Sequence, residues 1–479
     1  MNPPIRKLTA VVIVMFLTLM LAVTYIQFFR APELNADQRN VRTLYREYGT
    51  DRGPIIVYGT PIVTSEPYDD ELNYLRTYHQ PYLYAPITGY FSTSFNSMTG
   101  LERAENSVLG GSDSSLLSQR IEDLITGSQP QGGAVSLTID PLAQEAAYNA
   151  LNGRRGAVVA IEPSTGKILA LVSTPSFDPN TLATRDAASA SAQWEAYNSD
   201  PNKPLINRAI AGDLYPPGST FKVITTAAMI EVLGMDETTE VEAPFSYAPP
   251  GTTHEIFNSG QVHCGNGSGT TTLLTAFTES CNTTFAIYAS EIGGEELQAM
   301  AEGFGFNAEL SIPLTVTPSQ FPAPADEATL AMDAIGQRDI IATPLQMAMV
   351  AAAIANDGVL MQPYLVNETL TADLEVLSTT RPRELGEPIS AETAQILQTM
   401  MVSVVNHGSG SYAALSSTQI AGKTGTAEVA GAQPYSWFIA FDAVDNPQVA
   451  VAVVVEEGGY GGPVAGPIAQ AVLSAVIDQ

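Results

Sequence analysis

Residues 8 to 29, LTAVVIVMFLTLMLAVTYIQFF, are 22 uncharged and mostly apolar positions in a row. At helical rise they make about 33 Å, enough to cross the hydrocarbon core of a bilayer. The run is longer than the apolar core of a cleaved leader and no A-x-A-like site follows, so it reads as an uncleaved transmembrane anchor. Arg6 and Lys7 precede it and the first acid is Glu33, against a single Arg30 on the far side. That asymmetry predicts a cytoplasmic tail over residues 1–7, an anchor over 8–29 in the plasma membrane, and a bulk outside the cytoplasm. From 30 to 132 the pattern turns to Tyr, Ser, Thr and Arg, with short β-like runs such as PIIVYG and no long helical period. This segment is expected to be an irregular, mainly β pedestal domain.

At GSQPQGG, residues 127–133, Gly and Pro mark a boundary, and a second domain is expected over 133–479. AVSLTID reads as a strand and PLAQEAAYNAL as a helix. GAVVAIEPSTGKILALVSTP then gives two apolar runs around a turn, a hairpin signal. Ala-rich helical runs follow, including TPLQMAMVAAAIANDG, and the chain closes with SWFIAFDA, VAVAVVVEEG and PIAQAVLSAVI. Strands at both ends of the domain with helices between them predict an α/β layered fold, an antiparallel sheet flanked by helices.

Composition narrows the function. The 479 residues, 45% hydrophobic, suffice for more than one domain. With 21 basic against 50 acidic side chains and a formal charge of -29, the chain is no nucleic-acid partner. The two cysteines, Cys264 and Cys281, are disulfide candidates in an exported compartment, where a bond would contribute up to about 3 kcal/mol. A metal site built from both thiols with His254 and His263 is the competing reading, but no tight C-x-x-C or H-x-x-x-H pair supports it, so no metal is expected.

The chemistry is concentrated around LYPPGSTFKVITTAAMIEVLG, residues 214–234. Ser219 before an apolar run looks like a helix N-cap and Gly234 like the matching stop. Three residues after a cap, however, Glu or Gln is favoured, and here Lys222 stands. The chain has only five lysines, and this one opens a helix with no other charge before Glu231. Lowering a lysine from ~10.4 to ~7 takes about 4.6 kcal/mol. The helix dipole supplies only about 0.3–1 kcal/mol, so burial has to supply the rest. A neutral amine one turn from a Ser hydroxyl is a general base beside a nucleophile. S-x-x-K also occurs at Ser164–Lys167, where it falls in the hairpin turn and has no such mechanics. Two further polar motifs follow: Ser280-Cys281-Asn282, and Lys423-Thr424-Gly425-Thr426 ahead of apolar strands. The first has a second match, Ser94-Phe95-Asn96, which reads as a loop accident. In the other, Gly425 is expected to let a substrate backbone come close.

S-x-x-K, S-x-N and K-T-G, in this order on an exported chain, resemble the penicillin-binding proteins and class A β-lactamases. RGPI at 52–55, GLE at 100–102, VVAIEPSTGKILALVSTPSFDPN, SCNTTF, GQRDIIATPLQMA and AGKTGTAE extend the likeness. Together they make it most like class B penicillin-binding proteins of actinobacterial type. The resemblance implies a D,D-transpeptidase in which Ser219 attacks peptidoglycan stem peptides ending in D-Ala-D-Ala, Lys222 takes its proton and Ser280 relays a proton. By the same resemblance Asn282 holds the substrate amide, Lys423 faces the carboxylate with Thr424 and Thr426, and backbone N–H groups of Ser219 and Thr426 form the oxyanion hole. It further implies acylation by β-lactams, no cofactor, and a multispanning membrane polymerase as partner, since 30–132 is short for a glycosyltransferase. Arg338 departs from the Gly or Lys usual after GQ, and Cys281 fills the variable position of S-x-N. A β-lactamase would need a deacylating Glu, and no E-x-x-L-N segment follows Ser280. A mainly structural, scaffolding role in a wall-synthesis complex stays open at this stage.

Overall fold

The apolar N-terminal run forms helix α1 (Pro3–Thr24), continued by a π-type turn over Tyr25–Phe29 in the computed structural model. The structure describes residues 3–30, 48–117, 125–127, 131–429 and 431–479. Among the described residues, Pro4–Gln27 is the one helix long and apolar enough to cross a membrane. Chain contacts divide the molecule into two units, Met1–Asp51 with Glu66–Leu75, and Arg52–Ser65 with Arg76–Gln479. The second holds all the chemistry described below.

Along that unit the chain forms β1 (Ile55–Val57) and β2 (Thr60–Pro67), a hairpin whose neighbour is β3 (Tyr74–Tyr78). Helix α2 (Pro81–Thr88) follows. After strand β4 (Ala134–Leu137) and helix α3 (Pro141–Leu151), the predicted hairpin appears as β5 (Gly156–Ile161) and β6 (Ile168–Thr174). The STGK turn joins them, its Lys167 paired with Glu162 at 3.6 Å. Helices α4 (Lys222–Leu233), α5 (Leu273–Thr278), α6 (Asn282–Ile292), α7 (Glu327–Asp333) and α8 (Pro344–Ala355) make the middle of the chain. Strands β7 (Val366–Leu370) and β8 (Val376–Thr379) and helix α9 (Ala391–His407) lead to β9 (Ile420–Ala427), β10 (Tyr435–Asp442), β11 (Ala450–Val455) and helix α10 (Gly461–Ile477).

The main sheet is antiparallel throughout, in the order β9-β10-β11-β5-β6. Its apolar runs are continuous because both faces are covered. Alternate residues obey the two-residue period of a strand: Val158, Ala160, Val451 and Val453 pack with α3 and α10 on one face. Val159, Ile161, Ala452 and Val454 turn to the other, toward α8 and the α4 layer. Helices α4 and α8 lie inside the domain, so residues 222–230 and 344–355 are buried without an exposed stripe.

The region read as a pedestal is built differently from the expectation in two respects. It contains helix α2 and short helical turns at Gly100–Ala104 and Asn106–Leu109 beside its strands, because segments this short carry no readable period. Its sheet, β8-β7-β4-β1-β2-β3, also takes strands from beyond residue 132: β4 lies parallel to β1, and β7 antiparallel to β4. Residues 31–47, 118–124 and 128–130, the last within the GSQPQGG boundary, lie outside the described residues.

Two of the quoted motifs meet in this sheet. The guanidinium of Arg52, from RGPI, donates Nε–H to Glu102, from GLE, at 2.5 Å, and Arg76 donates to the other oxygen at 2.6 Å. Tyr78 adds its hydroxyl at 3.3 Å. Burial pushes the Glu102 carboxyl up, but Arg76 and Arg52 outweigh it and hold it below the usual range. Removing one member of a buried ion group leaves the others charged and dry. Glu102→Ala is therefore expected to lower the unfolding free energy by about 3–5 kcal/mol, and Glu102→Gln, which keeps one acceptor, by less. A chemical-denaturation midpoint equal to that of the wild type would remove the ion group from the stability of this sheet.

Candidate active site

The nucleophile candidate is presented by a turn, not by a helix cap. Gly218–Thr220 is a 3-10 turn and α4 begins at Lys222, so the cap reading of Ser219 fails: Phe221 holds the cap position, with no side-chain cap bond. In the turn, Thr220 uses its hydroxyl on Pro217 O at 2.7 Å. Among the described residues the Ser219 hydroxyl takes no hydrogen-bond partner, and it opens on a cleft of about 950 Å³. Gly234 does end α4, in the left-handed conformation that favours glycine.

Lys222 is wholly buried at the first position of α4. Its Nζ donates to Asn282 Oδ1 at 2.7 Å and to Ser280 O at 2.8 Å, and lies 3.3 Å from Ser280 Oγ and 5.4 Å from the centre of the Phe285 ring. From the other side Lys423, equally buried on β9, reaches the same Ser280 Oγ at 2.8 Å, with its Nζ 5.5 Å from the Phe277 ring. Burial holds Lys222 well below the usual lysine range, and the charge of Lys423 lowers it further. Burial alone brings Lys423 down to about 7. Three motifs far apart in sequence thus converge on one hydroxyl.

The S-x-N corner is shaped to allow this. Ser280 stands between α5 and α6 at φ 60, in the left-handed region that only a determined backbone imposes on serine. Its N–H goes to Phe277 O, and that of Cys281 to Ala276 O. Cys281 is bonded to Cys264, with Cα atoms 5.8 Å apart. The bond ties the corner to the segment that holds Asn282, whose Nδ2 donates to Phe257 O at 2.8 Å, while Asn258 Oδ1 accepts the Thr283 N–H. Glu279 lies within metal-binding reach of both sulfurs, but these are joined to each other and Glu279 accepts the Gly265 N–H at 2.7 Å. His254 lines the cleft and His263 packs against Phe245.

On β9, Thr424 and Thr426 line the cleft. Gly425 does not offer room to a substrate as expected. A Cβ there would lie 2.8 Å from Trp437 Cβ and 2.9 Å from Pro217 O, so the close approach is between β9, β10 and the nucleophile turn. The sequence assigned no role to two cleft residues that touch the strand: Ser409, whose Oγ is 2.6 Å from Thr424 Oγ1, and Gln337 of the GQRDIIATPLQMA run, whose Nε2 donates to Thr426 O at 3.2 Å. The available signals were glycines, since Ser409 lies between Gly408 and Gly410, and Gln337 follows Gly336. The Ser94–Asn96 match lies in the turn between two short strands, Phe91–Ser92 and Ser97–Met98.

Comparison with known proteins agrees with this geometry. Residues 156–474 match the penicillin-binding protein transpeptidase domain, and residues 52–135 the penicillin-binding protein A dimerisation domain. The chain is 44% identical over its whole length, and 99% of the relative's, to the peptidoglycan D,D-transpeptidase PbpA of Mycolicibacterium smegmatis. To the PbpA of Mycobacterium tuberculosis it is 41% identical, with the same coverage. The ceftriaxone acyl-enzyme of penicillin-binding protein A from M. tuberculosis superposes with a TM-score of 0.87 at 41% identity, covering 90% of this chain and all of that one. A D,D-transpeptidase domain from Eggerthella lenta gives 0.77 at 34%, covering 90% and 98%. With three motifs gathered at one cleft and likeness over the full chain, this protein belongs to the penicillin-binding protein transpeptidase family.

Proposed function

We propose that this peptidoglycan D,D-transpeptidase works through an acyl-enzyme on Ser219, with Lys222 as its base. The observation that carries the reading is the hydrogen-bonded cluster of Lys222, Ser280, Asn282 and Lys423 at the cleft that Ser219 also lines, where the Ser219 hydroxyl has no hydrogen-bond partner among the described residues. Lys222, which burial and the charge of Lys423 hold well below the usual lysine range, takes the Ser219 proton as Oγ attacks the carbonyl of the penultimate D-Ala. The N–H groups of Ser219 and Thr426 receive the oxyanion, each such donor being worth about 2.7–4 kcal/mol. Support for Thr426 comes from its carbonyl, which is turned out of the ladder toward Gln337. In an antiparallel strand a residue's N–H points the same way as its C=O.

When the tetrahedral adduct collapses, the C–N bond breaks and the terminal D-Ala leaves as an amine, receiving through Ser280 the proton that Lys222 took. The amine of a neighbouring stem then attacks the ester, gives up a proton by the same route, and frees Ser219. Lys423, as an ammonium, holds the donor's terminal carboxylate with Thr424 and Thr426, the group that β-lactams imitate. Asn282 fixes Lys222 and the donor amide. Anchored by α1, with the N-terminus cytoplasmic and the bulk outside, the enzyme acts where nascent strands leave the membrane. We assign their polymerisation to a multispanning membrane partner.

A fluorescent penicillin should label the protein covalently and Ser219→Ala should abolish the label. Label persisting in the variant would exclude Ser219 as nucleophile, and rapid spontaneous loss from the wild type would make the protein a β-lactamase.

The two lysines also fix a pH dependence. The acylation rate constant rises on the acid side as Lys222 loses its proton. It falls on the alkaline side as Lys423, at about 7 before ligand binds, loses the ammonium that holds the carboxylate. Because the charge of Lys423 helps depress Lys222, Lys423→Gln should move the acid limb to higher pH. The maximal rate should drop about 10- to 100-fold for the lost charged hydrogen bond. An acid limb that stays in place would show that Lys222 is not the titrating base.

A further inference from the structure

Strand β9 is the edge of the main sheet, and an edge strand presents N–H and C=O groups that no ladder partner takes. Thr426 carries two of them. It stands opposite Ser436 of β10, yet its carbonyl accepts the Gln337 side-chain amide, so both its polar groups face the cleft. Gln337 is delivered there by a fixed turn: its N–H donates to Met332 O at 3.1 Å, and the Gly336 carbonyl accepts Gly218 N–H at 2.8 Å. Gly336 has φ 74, and a Cβ on it would lie 2.0 Å from Gly218 O, so the turn is pressed against the nucleophile loop. The Gln337 side chain itself is half-buried and lines the cleft.

We propose that Gln337 is a placeholder on the catalytic edge strand: its amide occupies the Thr426 carbonyl until a donor's backbone N–H takes that acceptor, and it thereby selects among ligands. This rests on Ser219 and Thr426 acting as described above. A strand-like donor ending in D-Ala-D-Ala presents the N–H of its penultimate residue along β9, the mode in which an extended peptide adds to a sheet edge. Penicillin G carries the equivalent group as its acylamino N–H. A carbapenem such as imipenem has a hydroxyethyl group at that place and no N–H. Gln337 therefore competes with the first compound and not with the second.

Second-order acylation rate constants for penicillin G and imipenem, measured on the full chain and on Gln337→Ala and Gln337→Met, test this. Removing the competing amide should raise the penicillin-to-imipenem ratio about two- to tenfold in both variants, the range set by one net hydrogen bond. The methionine keeps the bulk of the side chain without its donor. A ratio that stays constant or falls overturns the proposal, as does loss of imipenem acylation in both variants, which would make Gln337 a prop for the turn. Ser219→Ala distinguishes the two levels: covalent labelling that survives it overturns the nucleophile assignment, whatever the ratio does.

Discussion

Two buried amines share one hydroxyl, and the rest of the catalytic domain is arranged around the cost of that contact. Among the described residues neither Lys222 nor Lys423 forms an ion pair. Two ammonium groups cannot both stay charged at that separation in a dry place, so at least one gives up its proton. Burial bears on both, and the extra repulsion falls on Lys222. The two amines thereby differ although both are wholly buried: Lys222, which carries the extra repulsion, suits the base of the proposed mechanism, and the strand-borne Lys423 suits the cation that meets an anion. Phe285 and Phe277 close the amines off from water while offering each an aromatic face.

Holding such a pair together needs a frame that cannot relax, and each motif is fixed by a different layer. Lys222 opens a helix that is buried on every side from 222 to 230. Lys423 belongs to a strand whose neighbour Gly425 is pressed between Trp437 and Pro217, so β9 cannot slide away from the nucleophile turn. Ser280 sits in a strained backbone conformation between two helices, and the Cys264–Cys281 bond holds the corner next to it. Strain at such a point persists only where its surroundings over-determine it. The disulfide, the two helix ends and Asn282 meet that condition.

The sequence made the composition of the site legible and left its joinery hidden. Lys222 was conspicuous because a lysine occupies the place of a capping-box acid in a run too apolar to be exposed, and the strands of the main sheet because two covered faces make continuous apolar runs. The cap reading of Ser219 was wrong for a reason no pattern records: Gly218 is held by Gly336, more than a hundred residues on, which tightens the turn to 3-10. Gly425 misled because a glycine states that something comes close without saying what. Ser409 and Gln337 carried no periodic or charge signal, and their meaning lies in contacts across the cleft. In the first sheet RGPI and GLE were visible as separate motifs, while Arg76, which completes their ion group, belongs to no motif. That sheet's use of β4, β7 and β8 could not be read from a boundary drawn by composition.

An enzyme that reads an extended peptide must keep a sheet edge open, and an open edge is a hazard in any protein because it invites pairing with another chain. Proteins usually answer with a charge, a proline or a covering segment. Strand β9 answers in part with its own cation, since Lys423 Nζ donates to the Thr424 carbonyl at 3.3 Å. Neutral side chains from neighbouring loops do the rest, Gln337 at the Thr426 carbonyl and Ser409 at the Thr424 hydroxyl beside it. Neutral side-chain hydrogen bonds of this kind are worth about 1 kcal/mol net, enough to satisfy the edge while the cleft is empty and little enough for a correctly shaped ligand to displace. A salt bridge or a paired strand would close the edge too firmly for turnover. The weakness of these contacts is therefore part of how the same strand is protected from unwanted partners and kept available to its substrate.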